Sequence, residues 1–163
     1  WETPGVEDNL KAAKVYFEQA EVFYNACGNG KIPYNLISHA ENLNKLGQYE
    51  KATELLRDDT RFMDERNKPF REYRYAEALY GLGAEQYKEA LVHINNALTS
   101  ENIDKYRSAF EEQKAKILYG IDPFQEEWKK VYEHAIAIAD DKYRKALQAR
   151  YEKLCNDVKN ECL

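Results

Sequence analysis

Two stretches decide the fold: Lys45-Leu46-Gly47-Gln48-Tyr49-Glu50-Lys51-Ala52 and, further on, Gly81-Leu82-Gly83 followed by Tyr87-Lys88-Glu89-Ala90. In each, a glycine interrupts two segments whose apolar residues recur at helical spacing. Glycine lets the chain turn tightly, tyrosine fills the wedge between two helices, and alanine lets the second helix approach closely. Helices joined by turns this short lie antiparallel against one another. Ala52 and Ala90 are about 38 residues apart, a spacing typical of helical repeats.

Outward from these turns the same periodicity covers most of the chain. The first helix is expected from about Glu7 to Ala26, with Leu10, Ala13, Phe17, Ala20 and Tyr24 on one stripe, stopped by Gly28-Asn29-Gly30. The second starts near Pro33, where a missing N–H costs nothing, and carries Leu36, Ala40, Leu43 and Leu46. A third runs from Tyr49 to about Met63. Pro69 opens a fourth with Tyr75, Ala76, Leu79 and Leu82, and a fifth runs from about Gln86 to Leu98. Thr99 or Ser100 caps a sixth, which carries Ile103, Tyr106, Phe110, Ile117 and Leu118. Asp122 and Pro123 are expected to start a seventh, with Phe124, Trp128, Val131, Ala135 and Ile138 inward. The last is expected from about Lys142, with Tyr143, Leu147, Tyr151, Leu154 and Val158. Asp140-Asp141 marks either a bend between the two or the middle of one long helix.

Composition narrows the class. A chain of 163 residues supplies enough apolar surface for one core or one stack of small units. No apolar run approaches the ~20 residues needed to cross a bilayer, so no membrane insertion is expected. The net charge of -5 argues against nucleic acid. A local exception is Lys142, Arg144, Lys145, Arg150 and Lys153, read here as the wet face of a terminal helix or a seat for an anionic partner. Three cysteines leave at least one free or paired between chains. Cys155 and Cys162 stand about 10 Å apart along an unbroken helix and can pair only if the last turn unwinds. The opening Trp1-Glu2-Thr3-Pro4 lacks an initiator Met, and the lone first helix reads as half a pair from a longer parent. With the cysteine spacing, this leans toward an exported protein, with the compartment otherwise open.

The chemistry-bearing residues are sparse. His39, His93 and His134 form no metal-binding spacing, and no Cys-x-x-Cys occurs, so no metal and no cofactor is expected. His39 reads as a core histidine. The doublets Asp58-Asp59, Glu111-Glu112 and Asp140-Asp141 read as solvated faces, because neighbours on a helix diverge by about 100°. Serines lack a nucleophile elbow, and a phosphate-binding glycine loop is absent. Non-catalytic function is expected.

The Leu-Gly-x-Tyr-x-x-Ala turn, with Ala40 and Ala76 in the preceding helices and Ala97 later in the fifth, resembles the tetratricopeptide repeat. The resemblance implies an all-α fold: antiparallel hairpins stacked as a short right-handed superhelix in a single domain over 1–163. The clearest hairpins would be 33–64 and 69–98, followed by a degenerate hairpin at 101–140 and a capping helix at 142–163. The chain departs from the pattern at His39, at the extra Ala84-Glu85, at Asp64 and Asn102 where proline is usual, and at Trp128 where alanine is usual.

In this family the first helices of successive pairs line a concave groove for extended or helical peptides. The resemblance therefore implies a protein or peptide partner held by Tyr34, Ile37, Ser38, Glu41, Asn44 and Lys45 of the second helix. The fourth helix would add Phe70, Tyr73, Arg74, Glu77 and Tyr80. The Lys and Asn constellation that clamps a C-terminal carboxylate in some members is not reproduced. The same face reads alternatively as a packed interface, and the chain alternatively as a sensing or regulatory domain of a larger protein. Arg74→Glu is expected to spare stability and weaken binding. Oligomeric state is left open.

Overall fold

The computed structural model describes residues 5–26, 33–58 and 64–161. Eight α-helices and two short 3-10 segments make up these residues: α1 Val6–Ala26, α2 Pro33–Lys45, α3 Tyr49–Leu56, α4 Lys68–Leu82, α5 Tyr87–Leu98, α6 Arg107–Ile121, α7 Glu127–Ile138 and α8 Asp141–Glu161. No strand occurs among the described residues, so the protein is all-α. Each helix packs on the next, and α2 also packs on α4, and α4 on α6.

Both quoted turns close as hairpins through glycines at positive φ, Gly47 at 69° and Gly83 at 111°. An L-residue rarely adopts this backbone, which explains glycine at both places. Gly47 donates to Asn44 O and Gln48 to Leu43 O, which satisfies carbonyls at the end of α2. The small residues sit at the contacts: Ala40, Ala52, Ala76, Ala90 and Ala97 are all 0% exposed.

Tyr49, just past the first turn, lies across Gly81 of α4: a Cβ there would fall 2.4 Å from the ring. Tyr87, just past the second, lies across Gly120 of α6, where a Cβ would fall 2.6 Å from the ring. The same tyrosine-on-glycine contact therefore recurs in successive hairpins. It sets how closely α4 and then α6 approach the turn before them.

Two apolar clusters share the interior. One joins α2 to α6 through Leu36, Leu43, Leu56, Leu79, Ile94 and Phe110, with Ile103 and Ile117 wholly buried. The other centres on Trp128, Tyr132, Ala135 and Leu147, with Ala115 of α6. α6 feeds both, with Phe110 and Ile117 in the first and Ala115 in the second.

Several local expectations change. α3 ends at Leu56 instead of running to Met63. The cause is Arg71, a buried side chain whose guanidinium donates to Leu56 O at 2.9 and 2.7 Å and to Arg57 O at 3.3 Å. The seventh helix starts at Glu127, not at Asp122 and Pro123. Asp122 Oδ1 caps a turn by accepting from Phe124 N, and Trp128 Nε1 donates to Pro123 O at 2.8 Å.

Asp140 marks a break, not a long helix. Ala139 is extended, and Asp140 Oδ1 accepts from Tyr143 N at 2.9 Å to start α8. Ser100 Oγ accepts from Asn102 N and opens a 3-10 segment that precedes α6. Leu82, Tyr106, Phe124 and Ile138, expected inward, are exposed. Cys155 is a free thiol. The expectations for the Gly28–Gly30 turn, Met63 and Cys162, and for the Tyr24 side chain, lie outside the described residues.

Candidate functional site

Because α2 packs on α4 and α4 on α6, one face of these three helices forms an open groove of about 260 Å³. Its centre is Arg74. The guanidinium bonds Glu41 on α2 at 2.6 Å and Glu77 on its own helix at 2.8 Å, and it lies 4.8 Å over the Tyr73 ring. Lys45 adds a 2.6 Å pair to Glu41. Burial pushes the Glu41 carboxyl up, but the hydrogen bonds and charges of Lys45 and Arg74 outweigh it and hold Glu41 below its ordinary value. Asn44 Nδ2 donates to Arg74 O at 2.9 Å, tying α2 to the α4 backbone.

Six of the eleven residues expected to hold a partner therefore line one surface: Glu41, Asn44, Lys45, Arg74, Glu77 and Tyr80. Tyr80 stacks on Tyr87 at 5.0 Å. The remaining five take other places, Ser38 being half-buried on α2. Ile37 is buried in the core, and Tyr34 faces solvent. Phe70 and Tyr73 pack against the core: Tyr73 stacks on Phe110 at 4.3 Å, and Phe70 meets Phe110 edge-on at 5.8 Å. Burial raises the Tyr73 phenol. Arg74 is committed to two carboxylates, so Arg74→Glu would set three acidic groups together, and the expectation that it spares stability fails on this geometry.

Sequence reading missed the third helix of the groove. Gln113 and Lys116 of α6 line it too. Their spacing on α6 parallels that of Arg74 and Glu77 on α4, so the hairpin register was the available clue. Two amides at this face are incompletely bonded. Asn44 Oδ1 and Gln113 Nε2 are buried and make no hydrogen bond, and Gln113 as a whole is 6% exposed.

Two buried ionic centres were also misread as surface or passed over. Glu112, expected on a solvated face, is 4% exposed. It receives Arg150 Nε at 2.7 Å, Lys116 Nζ at 2.8 Å, the Tyr132 hydroxyl at 3.1 Å and the Tyr143 hydroxyl. Burial raises its carboxyl, and Lys116, Tyr143 and Arg150 bring it below the ordinary value. The second centre is Glu72, which bonds Arg71 and His93, each at 2.6 Å. Desolvation there too is outweighed, and Glu72 is held low. Both act as pins between helices: α6 to α7 and α8 in one case, α4 to α5 in the other.

His39 is buried and stacks on Phe17 of α1 at 5.4 Å. His134 bonds Glu111 at 2.5 Å. Among the described residues no group of three or more His, Cys, Asp and Glu is placed to hold a metal. No helix there is long and apolar enough to cross a membrane. On the basic stretch of α8, Arg150 is spent on Glu112, and Arg144 donates to Ile136 O and Ala139 O at the end of α7.

The fold thus defines the class: an all-α protein in which each helix packs on the next, with a groove along one face of α2, α4 and α6. No family model, no curated protein and no solved structure matches the chain.

Proposed function

We propose that the chain is a non-catalytic interaction scaffold of tetratricopeptide-like hairpins, wound as a short right-handed superhelix, that holds a peptide or protein segment in the α2/α4/α6 groove. The observation that carries the reading is the groove itself, a channel crossing three helices, lined by charged side chains and by Tyr49 and Tyr80, with mostly apolar surface open to an occupant. Such a surface suits an extended chain, which offers a main-chain donor and acceptor at every residue. The recurring tyrosine-on-glycine contact supports the repeat reading, because it gives successive hairpins one shared packing rule.

Selection of random dodecapeptides displayed on phage tests it. Binders are expected to lose affinity for Lys45→Ala and Lys116→Ala, which alter the groove, and to keep it for Lys145→Ala on α8. Binders that ignore both groove variants and fail on Lys145→Ala would move the site to the basic last helix. A library that yields no binder would remove the peptide-scaffold reading.

A further inference from the structure

We propose that the protein pairs with a second copy of itself through the outer face of α1, the two helices lying antiparallel about a twofold axis. This goes beyond the groove, since no residue that lines the groove belongs to α1.

α1 uses one side to join the stack. Its half-buried residues Leu10, Ala13, Phe17 and Ala20 recur at helical spacing, and Phe17 stacks on His39 of α2. The opposite side carries Asp8, Ala12, Val15, Gln19 and Val22, all of them exposed. Steps of four, three, four and three residues are those of the seam in a two-stranded coiled coil. Val15 and Val22 leave 50% and 70% of their surface open, and Tyr16 beside them leaves 72%.

Charge decides both the occupant and its direction. A twofold axis between antiparallel helices keeps the same flank of each helix on the same side of the seam. Set Ala12 level with Val15 of the second copy. Val15 then meets Ala12 in turn, and Asp8 meets Gln19, a carboxylate facing an amide that donates to it. Lys11 and Glu18 share one flank, so each Lys11 lies about 3 Å along the axis from Glu18 of the second copy, twice by symmetry. Apolar residues meet apolar ones, and opposite charges meet. Sliding the second helix by one heptad sets Val15 against Gln19 and parts these charges. A parallel pair sets Asp8 against Asp8 and faces Lys11 with Tyr16.

Within one copy Lys11 holds Glu7 at 2.6 Å, and Lys14 reaches Glu18 at 3.6 Å. Glu7, Lys11 and Glu18 are exposed, and surface pairs of this kind contribute little, so sharing them with a second copy costs little. The seam from Asp8 to Val22 is about 21 Å long. A contact this short gives a weak dimer that depends on concentration.

Sedimentation equilibrium of the whole chain, from about 10 μM to about 1 mM, covers the range of such a contact. The molar mass is expected to rise from 19.1 kDa toward twice that value. Val15→Glu puts a charge at the middle of the seam; it is expected to keep the wild-type melting curve and hold the mass at 19.1 kDa. Lys11→Glu and Glu18→Lys should each stay monomeric alone, because each faces like charges across the seam. An equimolar mixture of the two should associate again, because one copy then brings only acids to the flank and the other only lysines. A wild-type mass of 19.1 kDa at every concentration would overturn the proposal. So would a dimer that Val15→Glu leaves intact, since its contact lies on another face. A mixture of the two charge variants that stays monomeric would overturn the antiparallel pairing.

Discussion

Replacing Gly81 with alanine adds one methyl group, and two opposing terms decide its effect. Gly81 lies in the last turn of α4, where alanine is favoured over glycine by at most about 1 kcal/mol. Against this, the new Cβ would stand 2.4 Å from two ring carbons of Tyr49 and 2.5 Å from a third. Carbon atoms pack at about 3.5–4.0 Å, so the ring must retreat by roughly 1 Å or more. Overpacking of this kind costs about 1–3 kcal/mol, so a net loss of about 1–2 kcal/mol is expected. For a chain of this size that is a fall in Tm of about 2–8 °C.

The assay is a four-protein cycle of wild type, Gly81→Ala, Tyr49→Ala and the double variant, followed by urea and thermal unfolding. Without the ring, the same Gly81→Ala change is expected to stabilise, by up to about 1 kcal/mol. A Gly81→Ala variant that is more stable than wild type with Tyr49 in place would refute the tyrosine-on-glycine contact. Gly120→Ala against Tyr87 should repeat the behaviour one hairpin later.

Ala90→Glu should unfold the protein or lower its Tm steeply, since it drives an unpaired charge into a contact that is 0% exposed; circular dichroism melting checks this. Arg71→Met should cost about 3–5 kcal/mol by urea titration, because it leaves Glu72 buried with His93 as its main partner and uncaps the end of α3. Stability should also depend on acid. Glu41, Glu72 and Glu112 are all held below the ordinary 4.5, so their contribution is complete above that pH and is lost as pH falls through their lowered values. Glu112→Gln should be less stable than wild type at neutral pH yet lose less on acidification, as read from Tm against pH.

The helices were legible because burial follows period: Leu36, Ala40 and Leu43 on α2, and Ala90, Ile94 and Ala97 on α5, are buried as their spacing demands. Helix ends were less legible, since long-range partners decide them. Arg71 stops α3 from fifteen residues away in sequence, and Asp122 with Pro123 builds a turn that delays α7. Buried charges were the least legible. Glu112 looks like any surface acid beside Glu111 until Tyr132, Tyr143 and Arg150 arrive from two later helices. The groove was half visible. The turn motif assigns α2 and α4 to one face, but the contribution of α6 depends on a hairpin whose motif has decayed.

The central claim is that the α2/α4/α6 groove receives a peptide, and the most direct test is resonance mapping with the tightest displayed peptide. Shifts concentrated on Asn44, Lys45, Arg74, Glu77, Gln113 and Lys116 are the predicted result. Shifts confined to α5 and α7, or to the basic face of α8, would contradict it.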